Sequence, residues 1–204
     1  MTMHLRPKDE AYEKNQLFGN LVHVNGEFEN DDDVRKAKAI AGDIKACGAS
    51  RVLEVGTRLG LAPFIIARTV RHLEIVAGVD IVEDFINIAR IRGKYVSANN
   101  PSINLGYICC DMHELPCLDD SFDYVFSIGV LEHAHDPAKA ISEIFRVCSG
   151  RVYLDIDCAN LTRDAGSHYT VGAEPEDWLK LCPPEAQLQW IYSGDVLCIR
   201  GEVE

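Results

Sequence analysis

Between Arg51 and Ile156 five short apolar runs alternate with stretches of helical character, and this alternation constrains the fold more than anything else in the chain. Arg51 to Val55, Glu74 to Val79, Ile103 to Cys110, Phe122 to Ile128 and Arg151 to Ile156 read as strands. Leu61 to Arg71, Asp84 to Val96 and Pro137 to Val147 read as helices, the last with proline in its first turn. Strands that take turns with helices build a mainly parallel sheet with right-handed crossovers. The ending departs from this pattern. After a short helix at Pro175 to Leu181, the runs Gln187 to Tyr192 and Val196 to Glu202 flank Ser193-Gly194-Asp195, which is a hairpin signal.

Upstream, Asp31-Asp32-Asp33 supplies a helix start, Val34 to Cys47 is amphipathic, and Gly48 is a natural stop. Residues 1–30 lack a clear period, apart from a potential hairpin at Leu21 to Phe28 around Asn25-Gly26. We expect residues 1–30 to form a segment over the substrate and residues 31–204 to form one domain. Met1 to Asn15 is polar, without the apolar stretch of a signal peptide, and no apolar run reaches transmembrane length, so a cytoplasmic chain that does not enter membranes is expected. The net charge of −12 disfavours a protein that grips bulk nucleic acid. The densest basic stretch, Ile88 to Lys94, reads as the solvated end of a helix. None of the 8 cysteines forms a CxxC pair. Buried, reduced thiols are expected, with Cys158 and Cys182 placed in loops where reactivity is conceivable.

Four segments carry candidate chemistry. Val52-Leu53-Glu54-Val55-Gly56-Thr57-Arg58-Leu59-Gly60 joins a strand to a helix. Its glycines let backbone pass close to a ligand at a helix N-terminus, although a tight turn without ligand fits equally well. The GxxxG spacing is not the GxGxxG of dinucleotide-binding enzymes, which makes a dehydrogenase a distant reading. Asp80 follows roughly twenty residues later, the spacing at which a carboxylate reaches a ribose diol. A helix cap is the alternative. Cys110-Asp111-Met112 ends the third strand, where an acid can accept from an adenine amino group or simply cap a loop. The fourth segment runs from Asp119 to His133, through a strand into a polar loop.

In this order, these segments resemble the class I S-adenosylmethionine (SAM)-dependent methyltransferases. The runs Glu114-Leu115-Pro116, Phe122-Asp123, Val130-Leu131-Glu132-His133 and Asp136-Pro137 are similar to the type 11 methyltransferase group, which includes ubiquinone and menaquinone biosynthesis C-methyltransferases. The resemblance covers roughly residues 48–157. It implies a Rossmann-like, doubly wound α/β fold with a mainly parallel seven-stranded sheet and a C-terminal antiparallel hairpin. It also implies SAM as cofactor. Glu54, Gly56 and Gly60, with Thr57 in the same loop, would surround the methionine moiety. Asp80 would hold the ribose hydroxyls and Ile81 would lie against adenine. Asp111 and the Met112 backbone would read the adenine edge, and Ser127 and Ile128 would floor the site beneath the sulfonium. Two departures stand out. Arg58 occupies a position where the family usually has glycine, which leaves the loop's backbone path open. Cys148-Ser149-Gly150-Arg151 replaces a longer surface turn before the fifth strand.

The sulfonium already makes a good leaving group, so the protein mainly holds the acceptor in line and excludes water. An oxygen acceptor also needs a base. His133, His135 and His168 are candidates, with Glu132 as an orienting partner. For His133 an anchoring role in its loop ranks above catalysis; for His135 and His168 base and bystander rank equally. Glu132-His133-Ala134-His135 is similar to part of a Glu-x-x-Glu-His metal site, but Gly129 stands at the first acidic position, so no metal is expected. Tyr12, Phe18, Tyr169 and Trp178 are candidates to shape an acceptor pocket, with Trp178 better suited to pack a helix on the sheet. The leading expectation is transfer to a small-molecule acceptor by a monomer or homodimer. The alternatives are a protein or RNA acceptor, or a SAM-binding or S-adenosylhomocysteine (SAH)-binding protein without turnover.

Overall fold

The computed structural model describes residues 31–158, 174–193 and 196–203. Helix α1 (Asp31–Cys47) leads into β1 (Arg51–Val55), α2 (Leu61–Thr69), β2 (Ile75–Asp80), α3 (Glu83–Asn99) and β3 (Asn104–Cys109). The chain then crosses to β4 (Phe122–Ile128), a single 3-10 turn (Leu131–His133), α4 (Pro137–Arg146) and β5 (Cys148–Asp157). It ends with α5 (Pro175–Leu179), β6 (Gln187–Ser193) and β7 (Val196–Glu202). One seven-stranded sheet has the order β3-β2-β1-β4-β5-β7-β6, with β7 antiparallel to both β5 and β6. The expected Rossmann-like, doubly wound sheet closed by an antiparallel hairpin is the fold of the chain.

Period-two alternation sorts the strand residues onto two cores. Val52, Val76, Tyr124 and Phe126 face α1 and α2, where Ile40, Ile44 and Ile66 are buried. Leu53, Val55, Val125 and Val152 face α4 and α5, against Ile141, Ile144 and Trp178. The chain winds outward from β1 in both directions, so the crevice between β1 and β4 at the carboxyl ends of the strands is the switch point where such sheets bind ligands.

Local chemistry fixes the junctions. Gly48 takes a left-handed φ of 75° and donates its N–H to the Ile44 carbonyl at 3.0 Å, which ends α1. The Asp136 side chain accepts from the Lys139 N–H at 3.1 Å and caps α4, with Pro137 in the first turn. Asp123 accepts from the backbone N–H groups of Ser50 and Arg51, both at 2.9 Å, and pins the start of β1 to β4.

Several expectations need correction. Cys148 to Gly150 is not a surface turn but the start of β5, beside a register shift in β4. A Cβ on Gly150 would overlap the Asp123 carbonyl, so glycine is required there. The basic stretch at Ile88 to Lys94 lies in the body of α3, which runs on to Asn99, and Gly93 within it packs against Tyr107. Cys47 and Cys109 are exposed, not buried. Cys182 is buried and Cys158 half-buried, and burial pushes both thiols up to about 11, away from reactivity. The hairpin expected at Leu21 to Phe28 lies outside the described residues, as do Tyr12, Phe18 and Tyr169.

Trp178 is fully buried among the residues of the α4/α5 core. Trp178→Ala should therefore cost roughly 3–5 kcal/mol, the cost of emptying an aromatic site in a packed core. Urea unfolding monitored by far-UV circular dichroism measures it; a loss below about 1 kcal/mol would show that α5 does not hold the sheet.

Candidate active site

The loop after β1 is shaped by what lies beneath it. Gly56 and Thr57 both donate their N–H groups to the Val79 carbonyl at 2.8 Å. Gly56 has φ of 82° and Gly60 of 75°, conformations natural to glycine. A Cβ on Gly56 would overlap the Val130 side chain, and one on Gly60 would meet the Tyr107 ring at 2.7 Å. Arg58 resolves the departure noted in the sequence: it takes the left-handed conformation itself, with φ of 48°. The loop keeps the path a glycine would give it, at a cost of about 1–2 kcal/mol.

Asp80 repays part of that cost. Its Oδ2 accepts from the Arg58 N–H at 2.8 Å and its Oδ1 from the Val82 N–H at 2.9 Å. The ribose and cap readings are thus not exclusive, because the carboxylate organises both loops at the switch point and retains lone pairs for further donors. Val82, not Asp80, is the residue at the helix N-cap. Ile81 follows half-buried, and its carbonyl accepts from the Cys109 thiol at 3.5 Å.

Glu54 is buried at 5% exposure, with the Thr57 hydroxyl donating to Oε2 at 2.5 Å. Thr57 in turn sits over Gly78, where a Cβ would lie 2.6 Å from its hydroxyl oxygen. Burial pushes the Glu54 carboxyl up to about 8; the Thr57 hydrogen bond pulls it down and the Asp80 charge adds to the rise. Asp80 is also raised by burial, against the downward pull of the Val82 and Arg58 N–H groups.

At the end of β3, Asp111 is half-buried and its Oδ1 accepts from the His113 N–H at 3.0 Å and from His113 Nδ1 at 2.5 Å. His113 Nε2 accepts from the Asp136 N–H at 3.3 Å. The His135 ring packs on His113 at a tilt of 44°, with centroids 3.8 Å apart. Met112 is half-buried against the α4/α5 core. Beyond β4, Ser127 is fully buried and its hydroxyl has no hydrogen-bond partner among the described residues, while Ile128 packs on the α1/α2 core. Gly129 has φ of 58°, which explains glycine where an acid was sought.

Glu132 is buried at 2% exposure and accepts from the Asp157 N–H, tying the 3-10 turn to the end of β5. Burial pushes it up to about 8 against its backbone hydrogen bonds, with Asp157 and Asp155 adding to the rise. His133 ends that turn, half-buried, and donates its N–H to the Val130 carbonyl at 2.9 Å. The structure therefore places His135 with Asp111 and His113, whereas His133 follows the turn anchored by Glu132. His168 lies outside the described residues. Among the described residues no group of three or more His, Cys, Asp or Glu side chains is placed to hold a metal. No helix among them is long and apolar enough to cross a membrane.

These residues fit SAM. The left-handed glycines let the loop pack closely on Val130 and Tyr107, the acids stand at or just beyond the ends of adjacent strands, and the Ser127 hydroxyl, without a partner among the described residues, lies at the switch point. Sequence reasoning missed Gly78, Tyr107, Val130 and His113. Gly78 carried a readable signal, since an isolated glycine inside a strand marks a close approach.

Comparison with known proteins agrees with this geometry. The methyltransferase-domain family matches residues 53–154, half of the chain. A ubiquinone biosynthesis O-methyltransferase from Hahella chejuensis is 29% identical over 168 residues, covering 76% of this chain and 67% of that protein. The enzyme of the same name from Coxiella burnetii is 28% identical over 152 residues, covering 70% and 62%. The chain thus spans about two thirds of the length of these relatives. The SAM-bound structure of magnesium protoporphyrin IX methyltransferase from Synechocystis PCC 6803 superposes with a TM-score of 0.68 at 14% identity, covering 97% of this chain and 99% of that one.

The raised carboxyls have a consequence for stability. Glu54 and Glu132 shift from 4.5 to about 8 on folding, so between these values the folded chain holds protons that the unfolded chain has released. Stability must fall as pH rises through that window, by at most about 1.4 kcal/mol per pH unit for each group. Thermal melts from pH 5 to pH 8.5 should show a declining midpoint. Glu54→Gln and Glu132→Gln should each flatten the decline, and an unchanged slope in both variants would refute the assignment.

Proposed function

Since this chain belongs to the methyltransferase-domain family and uses SAM as its methyl donor, we propose that it methylates an oxygen atom of a small molecule. The relatives named above, both O-methyltransferases, support the choice of acceptor atom. The single observation that carries the placement is the buried Ser127 hydroxyl near the end of β4, beside Val55 of β1 and Leu154 of β5, which has no hydrogen-bond partner among the described residues. The net charge of −12 favours a small acceptor over a polyanion.

When bound, SAM supplies an electrophilic methyl group on a sulfonium. The protein's part is then positional. Glu54, Gly56 and Gly60 define the methionine end, and Thr57 holds Glu54 in place. Asp80 receives the ribose hydroxyls in addition to the two loop N–H groups. Ile81 covers the adenine ring, and Asp111 with the Met112 backbone meets its edge. Ser127 and Ile128 form the floor. We assign the base to His133, which ends the 3-10 turn that follows β4; His135 is packed against His113, the partner of Asp111. A neutral imidazole at His133 would take the proton of the acceptor hydroxyl, so that the oxygen could accept the methyl group that bound SAM would supply, with SAH as the leaving group.

A labelled-methyl screen against metabolite pools, proteins and RNA tests the acceptor class. Label in a small molecule is expected; label only in protein or RNA, or none while SAH still binds, would overturn it. Asp80→Ala should weaken SAH binding by roughly tenfold to a hundredfold in calorimetry, as hydrogen bonds to a half-buried carboxylate are lost. His133→Ala should leave SAH affinity and melting temperature unchanged and lower the rate by about 10²–10⁴. A lower melting temperature with an unaltered rate would instead make His133 an anchor of its loop.

A further inference from the structure

We propose that His113, which the sequence did not single out, is the positioning residue that sets the selectivity of the cofactor site for adenine. The inference rests on the reading of Asp111 as the group that meets the adenine amino. Asp111 lies just beyond the last residue of β3, an edge strand with a sheet neighbour on one side only. A carboxylate there takes its plane from groups outside the sheet ladder. His113 does that work twice: its backbone N–H and its Nδ1 both reach Asp111 Oδ1, at 3.0 and 2.5 Å. Two donors converging on one oxygen from different directions leave the carboxylate a single orientation.

His113 is itself immobilised. It is buried at 6% exposure. Its Nε2 accepts from the Asp136 N–H at 3.3 Å, so the proton resides on Nδ1, where Asp111 needs a donor. The His135 ring at 3.8 Å closes off ring rotation from one face. Asp136 is the N-cap of α4, with its carboxylate bound to the Lys139 N–H. A continuous set of hydrogen bonds therefore runs from the rigid start of α4, through the imidazole, to the carboxylate that discriminates the base. His113 acts through Asp111, which makes it a positioning residue.

The test is a ratio of affinities. Calorimetry compares SAH with S-inosylhomocysteine, which carries a carbonyl in place of the adenine amino. The folded chain should prefer SAH by about tenfold or more, the value of a hydrogen bond to a charged acceptor. Asp111→Asn should abolish that preference, because its amide can donate to the inosine carbonyl. Two substitutions at 113 of similar size then separate orientation from folding. His113→Asn keeps an N–H near the Nδ1 position and should retain the preference. His113→Gln places its amide nearer the Nε2 position and should reduce the preference to below about threefold, with melting temperatures alike in the two variants. If both 113 variants retain the preference while Asp111→Asn loses it, the role given to His113 is wrong and the reading of Asp111 stands. If the unaltered chain shows no preference, or Asp111→Asn keeps it, the reading of Asp111 fails and the inference falls with it.

Discussion

The Asp80 carboxylate is the joint that ties together the two loops at the carboxyl ends of β1 and β2. It ends β2, and its two oxygens take the Arg58 N–H from one loop and the Val82 N–H from the next. A parallel sheet delivers successive strands to the same edge, and the loops that leave this edge have no ladder to hold them. One acidic side chain adds a connection between the two loops, beside the Gly56 and Thr57 N–H bonds to the Val79 carbonyl. It also explains how Arg58 is tolerated in a left-handed conformation: the strained residue is the one whose N–H donates to the carboxylate. Without Asp80 the Gly56–Gly60 segment would keep only its Gly56 and Thr57 N–H bonds to the Val79 carbonyl, and the N–H groups of Arg58 and Val82 would lose their shared acceptor.

Much of this architecture was legible in the sequence because strand and helix periods differ and glycine and proline punctuate them. Arg51–Val55 and Phe122–Ile128 are bounded in the structure as in the sequence, since both are apolar runs between strong turn residues. Boundaries slipped where a polar residue continued an element: α3 runs past Val96 to Asn99, and β5 begins at Cys148 instead of Arg151. The second case is instructive. Ser149 and Gly150 look like a turn, but Gly150 is in the strand because its neighbour's carbonyl leaves no room for a side chain. A residue type was read correctly as special and given the wrong reason.

The candidate site divides along the same line. Glu54, Asp80 and Asp111 were visible because strand ends in this fold have assigned positions. His113 was not, because its partners are Asp111 and Asp136, and only folding brings Asp136 and the ring of His135 to it. Glu54 and Glu132 were visible as acids, but not as acids that hold their protons near neutrality. That property comes from burial on both sides of the sheet edge, which no local pattern records.

Gly78 shows how far a site extends beyond the groups that face a ligand. It lies within β2, paired with Glu54 on β1, and its absent side chain is the socket that receives Thr57. The sheet is thus not a neutral platform under the loop. It carries the loop's negative imprint. Any larger residue at this position would lift Thr57, release Glu54 and alter the cradle from below while touching nothing in it. A survey that scored positions by binding alone would rank Gly78 with the ligand-contacting residues; one that scored them by strand propensity would rank it as a defect. It is a mould, and the shape it casts is that of the loop between β1 and α2.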